Sequence, residues 1–262
     1  MHTASGIFYD TAGEGDPVLL LMGFGMRGIV WRPQIDTLAK QHQVAWYDNR
    51  GLGLSSPQRP GFGMAQMAED ALEVADALGW ERFHAVGVSM GGMVAQELAI
   101  RYPARVRTLA LIATQPGGPL AFVPPASSIP RMIMVGVGGN KRRGRLLQKI
   151  LHPPGALDWT TEDERRQRFE DAHAYHPPGD VRRNQLRAVR RHDTRDRLGQ
   201  IAAPTLVVQP AQDKVCRPEH SYTLVDRIPR ARLLRLPDAG HAIIFHAAPQ
   251  LNQALLKHFQ VA

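Results

Sequence analysis

Ser89 stands in Val86-Gly87-Val88-Ser89-Met90-Gly91-Gly92, where an apolar run enters Gly-x-Ser-x-Gly and the chain continues at once as Met93-Val94-Ala95-Gln96-Glu97-Leu98-Ala99. A serine on so sharp a strand-to-helix turn is pushed out above the sheet. The residues two before and two after it crowd each other, which calls for glycine at 87 and 91. A serine hydroxyl is a weak nucleophile until a base takes its proton. His241, in Asp238-Ala239-Gly240-His241, can take that proton and return it to a leaving group. Asp213, in Gln209-Pro210-Ala211-Gln212-Asp213, can fix the imidazole tautomer and stabilise the imidazolium. The chemistry these three residues suit is acyl transfer through a covalent acyl-enzyme. It also needs donors for the developing oxyanion. Met90 N–H opens the helix after Ser89, and Phe24 N–H lies in Met22-Gly23-Phe24-Gly25 after an earlier apolar run.

Competing assignments are weaker on position. Asp238 lies three residues before His241 and more naturally shapes that short turn than serves as the acid. His246, His220 and the histidines between residues 116 and 199 do not follow a strand end as His241 does. Cys216 reads as a packing or surface thiol, and His84, upstream within the elbow strand, as a structural histidine facing away from the turn. Arg50 can touch an anion, but with Asp48 it more naturally organises its own loop.

These side chains are far apart in sequence and need a frame that brings them together. Apolar runs at Val18–Met22, Val44–Tyr47, the elbow strand, Thr108–Ala113, Thr205–Gln209 and Ala231–Leu236 read as strands. Between them lie amphipathic stretches at residues 30–40, 64–78, 218–228 and 249–259, which read as helices. Strand alternating with helix predicts an α/β fold, a mostly parallel sheet with helices on both faces. Ser89, Asp213 and His241 each follow a strand, at the edge where open sheets place ligands. Residues 6–10 read as a short lead and 11–17 as a turn.

The alternation breaks at Gln115-Pro116-Gly117-Gly118-Pro119 and resumes at Pro204. The expected organisation is a core of residues 1–115 and 200–262 with a helical lid inserted at 116–199. Helices are expected at Lys141–Leu151, Thr161–Tyr175 and Asp180–Leu198, with Thr160 or Thr161 capping the second and Glu164 completing the cap. Ile129, Met132, Ile133, Met134 and Val135 are candidates to face a substrate cavity or to pack the lid on the core.

The 262 residues suffice for a full core. The formal charge is +8, and residues 117–200 hold 16 Lys and Arg against 9 Asp and Glu, so that segment carries nearly all of the excess. Arginine at helical spacing makes a solvated helix face, and the same charge can attract an anionic substrate or an acyl-carrier partner. Zinc-ligand spacing, an aromatic RNA-binding signature and a separate basic tail are all missing, so nucleic acid is not an expected partner. One cysteine excludes an internal disulfide framework, and no apolar run is long enough for a membrane span. The expectation is a soluble cytoplasmic protein without cofactor or metal, acting on a small molecule, with its oligomeric state open.

Taken together, Gly87-Val88-Ser89-Met90-Gly91-Gly92-Met93-Val94-Ala95-Gln96, Asp48-Asn49-Arg50-Gly51-Leu52-Gly53 and Gly240-His241 resemble the α/β-hydrolase superfamily over nearly the whole chain. Within it they are similar to the group holding 3-oxoadipate enol-lactonase, aclacinomycin-type methylesterases and small carboxylesterases. The order Ser89, Asp213, His241 is the one that resemblance implies. It implies hydrolysis of a small or medium carboxylic ester or lactone. Thioester hydrolysis, perhydrolysis and carbon–carbon cleavage on the same triad are alternatives, and a non-catalytic ligand receptor is a further one. Serine at 89 departs from dehalogenases and epoxide hydrolases, which use aspartate there. Ala242 departs from the tryptophan common in carbon–carbon hydrolases. Other departures are Met22-Gly23 where many relatives have His-Gly, Gln209-Pro210 in place of a His-Gly-type approach to the acid, and His246 where glutamate is frequent, a change expected to concern helix packing.

Overall fold

The computed structural model describes residues 1–56, 61–118, 121, 146, 148–156, 161 and 178–261. Apolar runs form seven strands, β1 (Tyr9–Ala12), β2 (Asp16–Leu21), β3 (His42–Tyr47), β4 (Phe83–Val88), β5 (Val106–Ile112), β6 (Thr205–Pro210) and β7 (Ala231–Leu236). Amphipathic segments form α1 (Arg32–Leu38), α2 (Met64–Ala77), α3 (Met90–Arg101), α4 (Gly179–Arg191), α5 (Glu219–Arg227), α6 (Ile243–His246) and α7 (Ala248–Phe259). The strands make one sheet in the order β1-β3-β2-β4-β5-β6-β7, antiparallel only between β1 and β3. This is the expected α/β architecture.

Side chains alternate across each strand, so one sequence feeds two cores. Leu19, Leu21, Ala85, Leu109, Leu111 and Val207 face α2 and α3, where Met67, Ala71, Val94 and Leu98 meet them. Val18, Leu20, Val86, Val88, Ala110, Ile112 and Val208 face the other way, onto Ile35, Leu38, Leu251, Leu255 and Phe259 of α1 and α7. Continuous apolar strands are what a sheet buried on both faces requires.

Three details differ from expectation. β1 occupies part of the segment read as lead and turn, because Tyr9, buried at 6% exposure, pairs opposite Tyr47 on the β3 edge. The helix expected from residue 30 begins as a 3-10 turn, Gly28–Trp31, and becomes α-helical only as Pro33 enters its first turn. α4 stops at Arg191 instead of reaching Leu198. His192 is extended there, and Asp193 bridges to Gly117.

That bridge belongs to a neck where the chain leaves and re-enters the core. Thr194 N–H donates to Pro116 C=O at 2.8 Å, and Thr194 Oγ1 donates to Gln96 Oε1 at 2.6 Å. Gln96 Nε2 completes the ring to Gln115 C=O at 3.1 Å. Arg197 holds Glu97 of α3 bidentately, 2.9 Å on one arm and 2.5 Å on the other. Burial works to raise the Glu97 carboxyl, and the bonds from Arg197 and Arg101 outweigh it, leaving it below its ordinary value. Most of the expected lid, including residues 129–135, Thr160, Glu164 and the helix over 161–175, lies outside the described residues. α4 presents Val181, Asn184, Gln185 and Ala188 inward and Arg182, Arg183, Arg187, Arg190 and Arg191 outward. Its arginines therefore form a solvated face.

The far ends of the strands carry a histidine cluster. His84 is fully buried, its Nδ1 within 2.8 Å of Thr108 Oγ1 and its ring 4.5 Å from that of Phe259. His258 donates Nε2–H to Leu109 C=O at 3.0 Å. Burial pushes His84 down to about 3, and His258, like His192 at the neck, to about 4. In the unfolded chain each titrates near 6.5. From there down to the folded values the unfolded state binds protons that the native state refuses, so stability rises with pH and falls on acidification. Each histidine contributes about 1.4 kcal/mol per pH unit to that slope. Denaturant unfolding at pH 7.5, 6 and 5 will show midpoints falling with pH. His84→Asn, which keeps a group for Thr108, will reduce proton uptake on unfolding by about one. An unchanged proton count would contradict the burial argument.

The elbow tolerates no side chain at its two flanking glycines. A Cβ on Gly91 would overlap Leu21 C=O and come within 2.9 Å of Met22 C=O, and one on Gly87 would overlap Gly91 C=O and lie 2.8 Å from Gly92 Cα. All of these obstacles are backbone and cannot rotate away. Gly91→Ala is expected to cost about 3 kcal/mol, lowering the thermal midpoint by roughly 6 °C or more, as measured by calorimetry.

Candidate active site

β4 delivers Ser89 into a left-handed backbone conformation, φ +54° and ψ −120°, that non-glycine residues rarely hold. Its surroundings over-determine it. Ser89 N–H donates to Ile112 C=O at 2.9 Å, and its own C=O accepts from Gly92 N–H, Met93 N–H and Thr114 Oγ1 at 3.0, 3.3 and 2.7 Å. The side chain is left partly exposed at the carboxyl edge of the sheet.

β6 ends at Pro210, and the turn after it sets Asp213, 4% exposed, beneath the same edge. One carboxylate oxygen, Oδ1, accepts from Val215 N–H at 2.7 Å and Cys216 N–H at 2.9 Å. The other, Oδ2, accepts from His241 Nδ1 at 2.8 Å. An ionised carboxylate can only accept, so the proton of this bond sits on Nδ1 and Nε2 is the imidazole's acceptor. Ser89 Oγ lies 3.0 Å from Nε2 and donates to it. Hydroxyl, imidazole and carboxylate thus stand in one row, and all three expected residues are brought together.

The β7–α6 turn that carries His241 is supported from behind. Gly240 N–H donates to His246 Nε2 at 3.0 Å, so His246 buttresses the loop before His241, a role beyond the helix packing expected of it. Ala242 N–H donates to Leu151 C=O at 2.9 Å, and a Cβ on Gly240 would lie 2.8 Å from Pro153, so residues of the inserted segment close over this turn. Asp238 is exposed in the same turn, and His220 belongs to α5.

Beside Ser89 runs the loop after β2. A Cβ on Gly23 would sit 3.4 Å from Ser89 Cβ, which places Gly23 against the Ser89 side chain. Gly23 C=O accepts from Met26 N–H at 3.4 Å, turning the N–H of the same peptide, that of Phe24, the opposite way. On the helix side, the backbone bonds at the start of α3 run from Gly92 and Met93 to Ser89 C=O, and the Met90 amide precedes them at the opening of the helix, where first-turn donors lack an intrahelical acceptor. The Met90 amide is thus bonded directly to Ser89, and the loop that carries Phe24 lies beside it.

The neighbouring loop over residues 48–56 is held by Asp48, whose carboxylate accepts from Gly28 N–H at 2.8 Å, Leu54 N–H at 3.0 Å and Arg27 Nε at 3.1 Å. Arg50 does not share in this. It turns onto α2 and forms a two-armed ion pair with buried Asp70, 2.7 Å and 2.5 Å. Burial raises the Asp70 carboxyl and Arg50 opposes it. Asn49 Nδ2 donates to Met22 C=O at 3.2 Å and so braces the end of β2.

Sequence reasoning missed Asn49, Thr114 and Gln185. Gln185, on α4 and fully buried, accepts from Gly25 N–H at 2.9 Å. Asn49 stands within the quoted Asp48–Gly53 motif without a role assigned to it, and no motif marks Thr114 or Gln185. The one group with metal-type ligands among the described residues is Asp213, Cys216 and His241, whose ligand atoms lie within 4.8 Å of one another. Asp213 and His241 are committed to each other, and burial, reinforced by Asp213, pushes the Cys216 thiol up, so it stays protonated. The donor set suits a hydrogen-bonded row better than an ion. A groove of about 660 Å³ at the neck is lined by Leu186, Arg190, Arg191 and His192 among others and includes none of the triad.

No helix among the described residues is long and apolar enough to cross a membrane. A family model for the alpha/beta hydrolase fold matches residues 16–248. A Variovorax paradoxus protein, whose name carbamate hydrolase RutD is itself provisional, is 33% identical, covering 95% of this chain and 94% of its own. A thermophilic esterase from Thermogutta terrifontis superposes with a TM-score of 0.78 at 26% identity, over 97% and 93% of the two chains. Est816, described as an N-acyl homoserine lactone degrading enzyme, does so with a TM-score of 0.76 at 27% identity, over 96% of each. The elbow, the sheet order and these likenesses agree, and the chain belongs to the α/β-hydrolase fold family, as a hydrolase.

Proposed function

We propose that the protein is a serine hydrolase that cleaves a small or medium carboxylic ester or lactone through an acyl-enzyme. The observation that carries this reading is the row of Ser89 Oγ, His241 and Asp213 at 3.0 and 2.8 Å. In it Ser89 attacks the carbonyl as His241 Nε2 takes its proton. The imidazolium, held by Asp213, then protonates the leaving oxygen. Phe24 N–H and Met90 N–H receive the oxyanion, each donor being worth on the order of 100-fold in rate. Water repeats the sequence in reverse and frees the acid. The esterase and lactone-degrading likenesses support the substrate class.

A second reading is hydrolysis of a carbamate on the same triad, favoured by the 33% identical relative that bears that name. The attack is the same, and only the acyl group differs. A panel of short ester, lactone, carbamate, acyl-thioester and β-diketone substrates separates these readings and the carbon–carbon alternative by relative kcat/KM.

Ser89→Ala will abolish stoichiometric labelling by a serine-directed phosphonate, and labelling retained at another serine would discard the assignment. Asp213→Asn will bind substrate with little change in KM but lose about 10⁴-fold in kcat, because an amide in that place favours the wrong tautomer. A loss below tenfold would remove Asp213 from the proposed machinery. Binding without turnover on the whole panel would favour a ligand receptor.

A further inference from the structure

We infer that Gln185 is a positioning residue that ties the inserted segment to the oxyanion loop and holds Phe24 N–H in place for the reaction. This rests on the serine hydrolase reading for its kinetic part alone. The loop is short of internal bonds. Gly23 to Met26 is a turn closed by a single long backbone bond of 3.4 Å, and Gly25 has φ +68° while Phe24 is not among the residues of positive φ. Those are the marks of a type II turn, which differs from type I by a flip of the middle peptide, here Phe24–Gly25.

Gln185 Oε1 accepts the N–H of that same middle peptide at 2.9 Å. A flipped peptide would point Phe24 C=O at Gln185 Oε1 instead, setting two acceptors against each other. The tether therefore selects one of the two turn forms. By fixing Phe24 ψ it also stiffens the adjoining Gly23–Phe24 peptide, whose N–H is the proposed oxyanion donor.

A second observation shows that polarity at 185 is held for a reason other than packing. Gln185 is 0% exposed, and its Nε2 has no partner among the described residues. A buried amide with an unmet donor carries a cost that a methionine of similar length would avoid. The compensating bond is the one to Gly25. Because Gln185 sits between Val181, which packs on Gly51, and Ala188 on the inward face of α4, seating of this helix and shaping of the loop beside Ser89 are one event.

The test compares Gln185→Met, which removes the acceptor at similar length, with Gln185→Glu, which keeps it. Hydrogen exchange of residues 23–26 in the whole protein reads the tether whether or not any ester is turned over. Gln185→Met is expected to speed that exchange about tenfold, whereas Gln185→Glu keeps it slow. On a short ester, Gln185→Met should lower kcat about 10- to 100-fold with KM within about threefold, since the lost contact acts on the oxyanion and not on ground-state binding. Should Gln185→Met not fold, Gln185→Asn, which withdraws the carboxamide by one methylene, makes the same comparison. Exchange as slow as in the wild type, an unchanged kcat, or a change confined to KM would overturn the inference. Absence of turnover in the wild type, with exchange responding as expected, would instead remove only the hydrolase reading.

Discussion

The φ of +54° at Ser89 is the constraint from which the rest of the site follows. A non-glycine residue held there costs about 1–3 kcal/mol, and it persists only where neighbours leave no alternative. Here the alternative is closed by backbone. Gly87 and Gly91 face each other without side chains, Gly91 lies against Leu21 C=O, and Gly92 is in contact with Thr114. Relaxing Ser89 to an ordinary conformation would break its bond to Ile112 and the three bonds its carbonyl accepts. β4 and α3 are joined by no spare residue, so the sheet and its covering helix together hold the turn under strain.

Parallel strands turn this local strain into a meeting point. β4, β6 and β7 run the same way, so the loops after them open on one edge, and serine, aspartate and histidine each come from a different loop. Asp213 is the most buried member of the row, and both of its carboxylate oxygens are engaged. Two backbone amides take one oxygen and the imidazole takes the other. Those bonds fix the plane of the carboxylate, which fixes the tautomer and plane of His241, which aims Nε2 at Ser89. His246 and Leu151 hold the residues before and after His241, through Gly240 N–H and Ala242 N–H.

Signals that are local and covalent in origin were legible in the sequence. The elbow is one, since glycine at 87 and 91 follows from sterics within five residues. The triad is another, because each member follows an apolar run long enough to read as a buried strand. Signals that depend on a distant partner were not. β1 is four residues long, and only the edge of β3 makes it a strand. The end of α4 is set by a bridge from Asp193 back to Gly117, and nothing in the run of arginines before it announces a stop. Arg50 finds Asp70 on a helix 14 or more residues further on, so its loop suggested local service it does not give. Gln185 is 160 residues from Gly25, and a lone glutamine on an arginine-rich helix carries no motif at all.

The placement of charge separates two tasks that composition alone runs together. The arginines described on α4 point outward, Arg195 is held by Asp193, and Arg197 by Glu97. What α4 turns inward is Val181, Asn184, Gln185 and Ala188, which carry no charge. An α-helix with its side chains is about 10–12 Å across, and salt screens exposed charge over about 8 Å at physiological ionic strength. The arginine face of α4 is therefore placed to act on what approaches the protein more than on groups behind the helix. In the proposed reaction, discrimination at the carbonyl falls to neutral donors at fixed positions, the amides of Phe24 and Met90, whose worth depends on being held still. A tether such as that from Gln185 to Gly25 is the form that control takes when a helix that reaches the loop beside Ser89 keeps its charges on the other side.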